Sequence, residues 1–385
     1  MTNQTKNVPE LRFPEFDGEW ENLTLSQVIE VNSGRDYKHL QKGEYPVYGT
    51  GGYMLSVSDY LYDSEAIGIG RKGTINKPYL LKGPFWTVDT LFYCTPKENN
   101  SIKFLLNLFR TINWKMYDES TGVPSLSKVT INKINKNVPQ YAEQQKIGEF
   151  FSKLDRQIEL EEQKLAKLEE QKKGYMQKIF SQELRFKDEK GNDYPEWKTK
   201  KLDELGEFNS GVGFPEKYQG GNTGVPFFKV SDMNLLGNEK FMNTANNYVS
   251  IEQIKQKKWK VIQSVPAIIF AKVGAAIMLN RKRMILNPFL IDNNTMSYSF
   301  FNHWDTNFGY VVFQMLNLPK YAQVGALPSY NSKDIGIIQI RLPIKEEQEK
   351  IGDFFSKLDE HIDKQSQKID RLKLRKQGFL QKMFI

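Results

Sequence analysis

The chain has 385 residues, of which 39% are hydrophobic and 13% aromatic. That is enough for two or three domains with real cores, and too apolar for a disordered protein. Lys and Arg outnumber Asp and Glu by 54 to 46, a formal charge of +8, which suits an anionic partner but supports DNA binding only weakly on its own. A single cysteine, Cys94, excludes an internal disulfide, and the three scattered histidines His39, His303 and His361 give no metal-ligand cluster. No run of eighteen apolar residues occurs, and the opening MTNQTKNVPELRF lacks the apolar stretch of a signal peptide. The expected location is therefore the cytoplasm.

Residues 1–14 read as a loose lead-in, followed by LRFPEFDGEW and a short amphipathic pattern through Leu25 and Val28 that ends in Asn32-Ser33-Gly34. From residue 43 to 93 the sequence reads as short strands divided by glycine turns: YPVYGTGGY, EAIGIGRKGTI and PFWTVDTLFY. A helical stretch is expected over residues 102–117. Residues 15–140 hold 14 basic and 14 acidic side chains, so any anion-binding surface there must be local.

Residues 143–180 then show apolar positions in steps of four and three: Ile147, Phe151, Leu154, Ile158, Leu165, Leu168, Tyr175 and Ile179. This 3.5-residue spacing is a coiled-coil seam. Some 35 helical residues span roughly 50 Å, far more than a core helix of a domain this size needs. With an offset of 204 the stretch returns as residues 347–384, with about 20 of 38 positions identical. The second seam is Ile351, Phe355, Leu358, Ile362, Ile369, Leu372, Phe379 and Met383. Each helix has one apolar seam and needs a partner. The copy in the same chain is the nearest one, and about 160 intervening residues favour an antiparallel pair. Glu161 and Gln365 would then face one another and fix register.

The segment between the helices opens as the first one does. Trp197 aligns with Trp20, Leu202 with Leu25, and Asn209-Ser210-Gly211 with Asn32-Ser33-Gly34, while Leu-Arg-Phe recurs at residues 184–186. VPFFKVSDM, PAIIFAKVGAAIMLN and PFLIDNNTMSYSF read as strands, and NFGYVVFQML as a helix. The offset of 204 holds from that helix onward, pairing Phe104 with Phe308 and Pro124-Ser125 with Pro328-Ser329. Insertions and deletions therefore lie among the upstream strands and loops, where two copies on one scaffold diverge if each fits a different target. Residues 200–343 carry 16 Lys and Arg against 10 Asp and Glu.

No catalytic constellation can be assembled. Gly68-Ile69-Gly70-Arg71-Lys72-Gly73 matches the dinucleotide fingerprint literally, but TINKPYLLKGP follows it with two prolines and no helical period, whereas the fingerprint must open a helix. It reads as a tight turn that holds Arg71 and Lys72 outward, either against a phosphate or simply in solvent. Asn76 to Tyr79, NKPY, misses the Asn-Pro-Pro-Tyr signature of amino-methyltransferases at Lys77. No Walker A sequence is present, and Glu170-Gln171-Lys172 lies on the coiled coil.

The candidate DNA contacts in the first segment are Arg35, Tyr37, Lys38, Arg71, Lys72, Ser125 and Ser127. In the second they are Lys229 and Lys272, the run Arg281-Lys282-Arg283, and Tyr330 with Asn331, whose counterparts are Leu126 and Ser127. Arginine pairs with guanine edges and lysine neutralises phosphate. A solvated surface patch is the alternative for any single lysine.

The two copies of EQxKIGxFFSKLD, the LRFPEFDGEW opening and the two divergent segments resemble a type I restriction–modification specificity subunit over practically the whole chain. The resemblance implies an α+β fold with two related target recognition domains and two long antiparallel helices forming an intramolecular coiled coil. The domains would be residues 1–141 and 183–345, and the helices 142–182 and 346–385. Each domain would read one half of a bipartite, interrupted double-stranded DNA target. The helices would set the spacer and dock two methyltransferase subunits that carry S-adenosylmethionine, and two restriction subunits would add ATP- and Mg-dependent translocation and cleavage. This chain would bind no cofactor or metal and catalyse nothing itself. A stand-alone DNA-binding or coiled-coil scaffold protein is the other reading.

Overall fold

A computed structural model of the chain describes residues 7–323, 325 and 327–385; the first six residues of the expected lead-in lie outside it. The chain divides into two compact units, one built from residues up to Ala166 together with Lys364–Ile385, the other from Lys167–Asp363. Each unit holds one mixed α/β segment and a piece of both long helices, Tyr141–Phe180 and Lys345–Met383.

In the first unit a four-stranded antiparallel sheet orders Ile29–Ser33, Leu91–Pro96, Ala66–Gly70 and Tyr79–Leu81. A three-stranded sheet places Lys42–Gly49 antiparallel to Gly52–Val57 and parallel to Trp86–Thr87. A third pair, Glu21–Thr24 with Asn135–Val138, closes the segment. The apolar face of helix Ile102–Thr111 packs on the larger sheet, and Phe104, Leu105, Leu108 and Phe109 are fully buried. The expected helix over residues 102–117 is broken at Ile112 and resumes as a 3-10 turn, Trp114–Tyr117.

The second unit repeats this order. Its four strands are Gly206–Ser210, Thr295–Phe300, Ala267–Ala271 and Lys282–Ile285. Its three-stranded sheet is Tyr248–Val249, Val225–Phe228 and Leu290–Ile291, and the closing pair is Lys198–Lys201 with Gln339–Leu342. Two of the long apolar runs are more broken than the sequence suggests. The run 266–280 is a strand only to Ala271, then turns through Gly274 at φ +83° into a 3-10 segment, Ala275–Leu279. In the run 288–300 the strand is interrupted where Asp292 Oδ1 accepts from Thr295 Oγ1 and the Thr295 amide donates to the Asp292 carbonyl, a side-chain-supported turn that competes with the ladder.

The long helices pair antiparallel within each unit, and the pairing repeats. In the first unit Phe150 meets Phe379 at 5.1 Å edge to face, and Asp155 pairs with Lys376. In the second, Tyr175 meets Phe354 at 5.1 Å, and Lys172 pairs with Asp359. Of the expected seam, Ile147, Phe151, Ile158, Ile351, Phe355 and Ile369 are buried, and Leu154, Leu165, Leu168, Leu358, Ile362 and Leu372 are half-buried. Burying such side chains contributes about 1.5–3 kcal/mol each, against at most about 1 kcal/mol for partly exposed ion pairs such as Asp155–Lys376. The seam therefore supplies the stability, and the charges select the alignment. Glu161 and Gln365 do face one another: Gln365 Nε2 donates to Glu161 Oε2 at 2.7 Å and to its carbonyl at 2.9 Å.

The lead-in is docked rather than loose over residues 7–14. Arg12 donates through Nε and Nη2 to both oxygens of Glu143 at 2.8 and 2.7 Å, Trp20 Nε1 donates to the same carboxylate at 3.3 Å, and the Leu11 amide donates to the Lys382 carbonyl at 2.8 Å. Arg185, Trp197 and Glu347 repeat this clasp in the second unit. Both glutamates are fully buried. Next to them, Gln144 accepts from the Ser101 amide and Gln348 from the Asp305 amide, at 3.0 and 2.9 Å. One turn on, Gly148 and Gly352 let each helix cross the shorter one: a Cβ would stand 2.9 Å from the Phe104 amide nitrogen or 2.7 Å from that of Phe308. These contacts account for the repeated Glu-Gln-x-Lys-Ile-Gly.

Removing one partner of a buried ion pair leaves the other charge uncompensated. Glu143→Ala is expected to destabilise the first unit by about 3–5 kcal/mol, read from urea unfolding. Replacing Glu161 and Gln365 together by Leu is expected to raise the melting temperature while loosening register, read from cross-helix disulfide trapping; a single trapped register would argue against their role.

Candidate nucleic-acid interface

In the first unit the strand Ala66–Gly70 runs into Arg71, Lys72 and Gly73, where φ is +92°. No helix follows, so the glycine pattern makes a turn and not a cofactor cradle. The turn is fastened to a second loop, residues 118–127. Leu126 donates its amide to the Arg71 carbonyl at 2.9 Å, and Gly73 donates to Pro124 at 2.8 Å. The second loop is shaped by Asp118, whose Oδ1 accepts from the Ser120 and Ser125 amides at 3.0 and 2.9 Å. These bonds, led by that from Ser125, hold its carboxyl below the usual range.

Between the two loops lies an open concavity of about 730 Å³ lined by Arg71, Lys72, Ser125, Ser127, Lys128 and Glu119, with Phe92 and Ser33 at its base. Arg71 and Lys72 are exposed, and the Arg71 guanidinium stands 5.9 Å over the Phe92 ring. Ser127 caps helix Lys128–Asn132 by accepting from the Thr130 amide. The structure thus brings four of the seven predicted residues of this segment together. Arg35, Tyr37 and Lys38 sit apart. Arg35 and Lys38 are exposed, the Arg35 carbonyl accepts from Trp86 Nε1 at 2.9 Å, and Tyr37 packs on the Val47–Trp86 cluster.

The second segment places its candidates differently from the expectation. Arg281, Lys282 and Arg283 do not form one basic patch, because side chains along a strand alternate faces. Lys282 points inward, 1% exposed, and donates to the Leu316 carbonyl. Arg283 is half-buried, with a buried Nε that has no hydrogen-bond partner, and Arg281 bonds Asn234. Tyr330 is a core residue rather than a surface reader: it is 5% exposed and its hydroxyl donates to the Ala271 carbonyl. Its counterpart Leu126 is also buried. Asn331 caps helix Ser332–Gly336 through the Lys333 and Asp334 amides. Lys229 donates to Gln219 at 3.2 Å. Lys272 is half-buried at the end of its strand, where its amide donates to Asn294.

Nothing in the sequence marks Glu119 or Lys128 as members of this concavity. The available signal was their neighbourhood to Ser125 and Ser127, which does not reveal that the loop folds back. Among the described residues no group of three or more His, Cys, Asp or Glu could hold a metal ion, and no helix is long and apolar enough to cross a membrane.

Residues 17–170 and 194–374 each match the model of the Type I restriction modification DNA specificity domain, and the chain belongs to that family. The fold is similar to the crystal structure of the S subunit of a type I restriction-modification system from M. genitalium, at a TM-score of 0.65 and 15% identity over 98% of this chain and 99% of that one. It is also similar to a chain from a structural study of complex assembly and conformational transition of the type I R-M system, at a TM-score of 0.56 and 14% identity over 96% and 98% of the two chains.

Burial pushes the Lys282 ammonium down from 10.5 to about 8. Between these values the unfolded chain binds the extra proton, so the contribution of this site to stability rises with pH from about 8 towards 10.5. Lys282→Met is expected to flatten that rise, measured as urea midpoints across the window; an identical pH dependence in both proteins would count against the burial.

Proposed function

We propose that this chain is the DNA sequence-recognition subunit of a type I restriction–modification complex, each mixed α/β segment reading one half of a bipartite, interrupted site in double-stranded DNA. The observation that carries this reading is the division between what the two units share and what they do not. Sheet order, buried clasp and helix pairing recur in both units, while the loops after the strands differ in length and chemistry. Insertions and deletions concentrated in those loops, on a frame that is kept, fit two copies that each serve a different target.

The long helices set the spacer between half-sites and dock two methyltransferase subunits. Two restriction subunits complete the assembly. S-adenosylmethionine belongs to the former, ATP and Mg to the translocating and cleaving machinery. This chain carries no chemical step, and it works in the cytoplasm, where its DNA lies. Two-part DNA readers bind half-sites about one helical turn apart, roughly 34–36 Å centre to centre.

Methylome sequencing of cells expressing the chain with its neighbouring modification subunit, and of cells lacking it, tests the reading. A bipartite adenine-methylated motif that appears only with the chain is the expected result. Co-purification without a methyltransferase subunit would favour a stand-alone scaffold, and methylation by the purified chain alone would overturn the non-catalytic role. Insertion of four residues within residues 159–173 is expected to change the spacer but neither half-site; an unaltered spacer would remove the helices as the ruler.

A further inference from the structure

The two units place the same two loops together by the same main-chain bonds. In the first, Arg71 donates its amide to Thr90 at 2.8 Å and its carbonyl accepts from Leu126 at 2.9 Å, while Gly73 donates to Pro124. In the second, Lys272 donates to Asn294 at 2.9 Å, its carbonyl accepts from Tyr330 at 3.2 Å, and Gly274 donates to Pro328. The Glu119 amide donates to the Ser125 carbonyl at 3.0 Å, and the Gln323 amide to Ser329 at 2.7 Å. Ser127 and Asn331 each cap the helix that follows. Three positions of this frame hold the same residue in both copies, Gly73 and Gly274, Pro124 and Pro328, Ser125 and Ser329, while Thr90 and Asn294, and Leu126 and Tyr330, take part through main-chain atoms. The side chains that the frame displays differ. Arg71 stands where Lys272 does, Lys72 where Val273 does, Glu119 where Gln323 does and Ser127 where Asn331 does. A main-chain frame kept while the side chains it displays change is what a reading position requires.

Glu119 decides the chemistry in the first unit. Its Oε1 accepts from Ser127 Oγ at 2.7 Å and from Thr130 Oγ1, which fixes the side chain on the wall of the concavity that Arg71 also lines. Those two bonds, Thr130's first, hold the carboxyl below the usual glutamate range, so it is ionised and accepts only. An ionised carboxylate on a DNA-facing surface is repelled by the phosphates and lowers affinity. It is compensated where it meets an amino group on a base edge. Arg71, on the same concavity, supplies the complementary donor pair, and the Phe92 ring 5.9 Å from its guanidinium limits the orientations of that group.

We propose that Arg71 and Glu119 together read one G·C pair of the first half-site through the major groove, Arg71 donating to guanine O6 and N7 and Glu119 accepting from cytosine N4, and that Lys272 with Gln323 reads the second half-site from the same frame. The proposal rests on the reading of this chain as a two-part DNA reader. It assigns the specificity of each half to a pair of exchangeable side chains, separate from the phosphate contact that Lys72 supplies and that Val273 cannot.

The test is selection of bound duplexes from a pool with both half-sites randomised, using the full chain assembled with its modification subunits. Three proteins are compared: the wild type, Glu119→Gln and Gln323→Glu. Glu119→Gln keeps an oxygen for Ser127 and Thr130, so the loop retains its support, and thermal melts of the two assemblies check this. The expected outcome is a loss of G·C preference on the order of 10-fold at a single position of one half-site, with the other half-site and the spacer unchanged. Gln323→Glu is expected to alter one position of the other half-site only. Identical base preferences in all three proteins overturn the proposal. So does equal weakening on every sequence, which marks a backbone contact or loop support, and so does an effect of Glu119→Gln on both half-sites. A wild type that selects no bipartite sequence removes the underlying reading and the proposal with it.

Discussion

Neither mixed α/β segment completes its own core, and the rest of the structure depends on that constraint. In the first unit the cluster of Trp20 and Phe104 takes its third ring from Phe384, stacked on Phe104 at 5.3 Å. That ring comes from the end of the helix that follows the other segment in sequence. In the second unit Phe180 stacks on Phe308 at 5.8 Å beside Trp197, and it comes from the end of the helix that follows the first segment. Each aromatic residue of this size buries enough apolar surface to matter on the scale of a whole domain's stability. Antiparallel pairing of the helices is the arrangement that delivers both rings.

The buried clasps act at the opposite ends of the same helices. Glu143 and Glu347 are each taken out of water at a helix start, where a carboxylate is favoured by the helix dipole and satisfied by an arginine and an indole. Taking a carboxylate out of water is costly unless all its partners are present. The clasp therefore ties the lead-in strictly to one position on the helix. It selects the docking of each segment, while the apolar seam and the aromatic clusters supply the larger share of stability. Helix, clasp and crossing glycine meet at the start of each long helix, and the loops that differ between the copies grow from the strands of each unit.

Most of this frame was legible in the sequence because it is periodic or duplicated. The seam residues, the Trp20 and Trp197 openings, the antiparallel pair and the facing of Glu161 and Gln365 all followed from spacing and repetition, which report directly on helix faces. The interface was less legible. Arg71, Lys72, Ser125 and Ser127 do meet in one concavity, but Arg281-Lys282-Arg283 divided between faces once a strand began at Lys282, and Tyr330 turned inward to satisfy a carbonyl. A run of charges fixes composition, and the phase of the strand then decides which members reach solvent.

The sequence by itself determined the layout of this protein: two copies of one scaffold, a long helix after each, and segments upstream of each helix in which the copies diverge. These are statements about period and identity, which need no coordinates. The tertiary structure alone decided which helix end closes which core, that the lead-in is clasped to a buried glutamate, and that Glu119 stands in the same concavity as Arg71. Those contacts join residues far apart in the chain, about 130 positions between Arg12 and Glu143 and hundreds between Phe104 and Phe384. Local periodicity carries no information about such pairs, because they are set by how sheets and helices pack and not by the spacing of residues along one element.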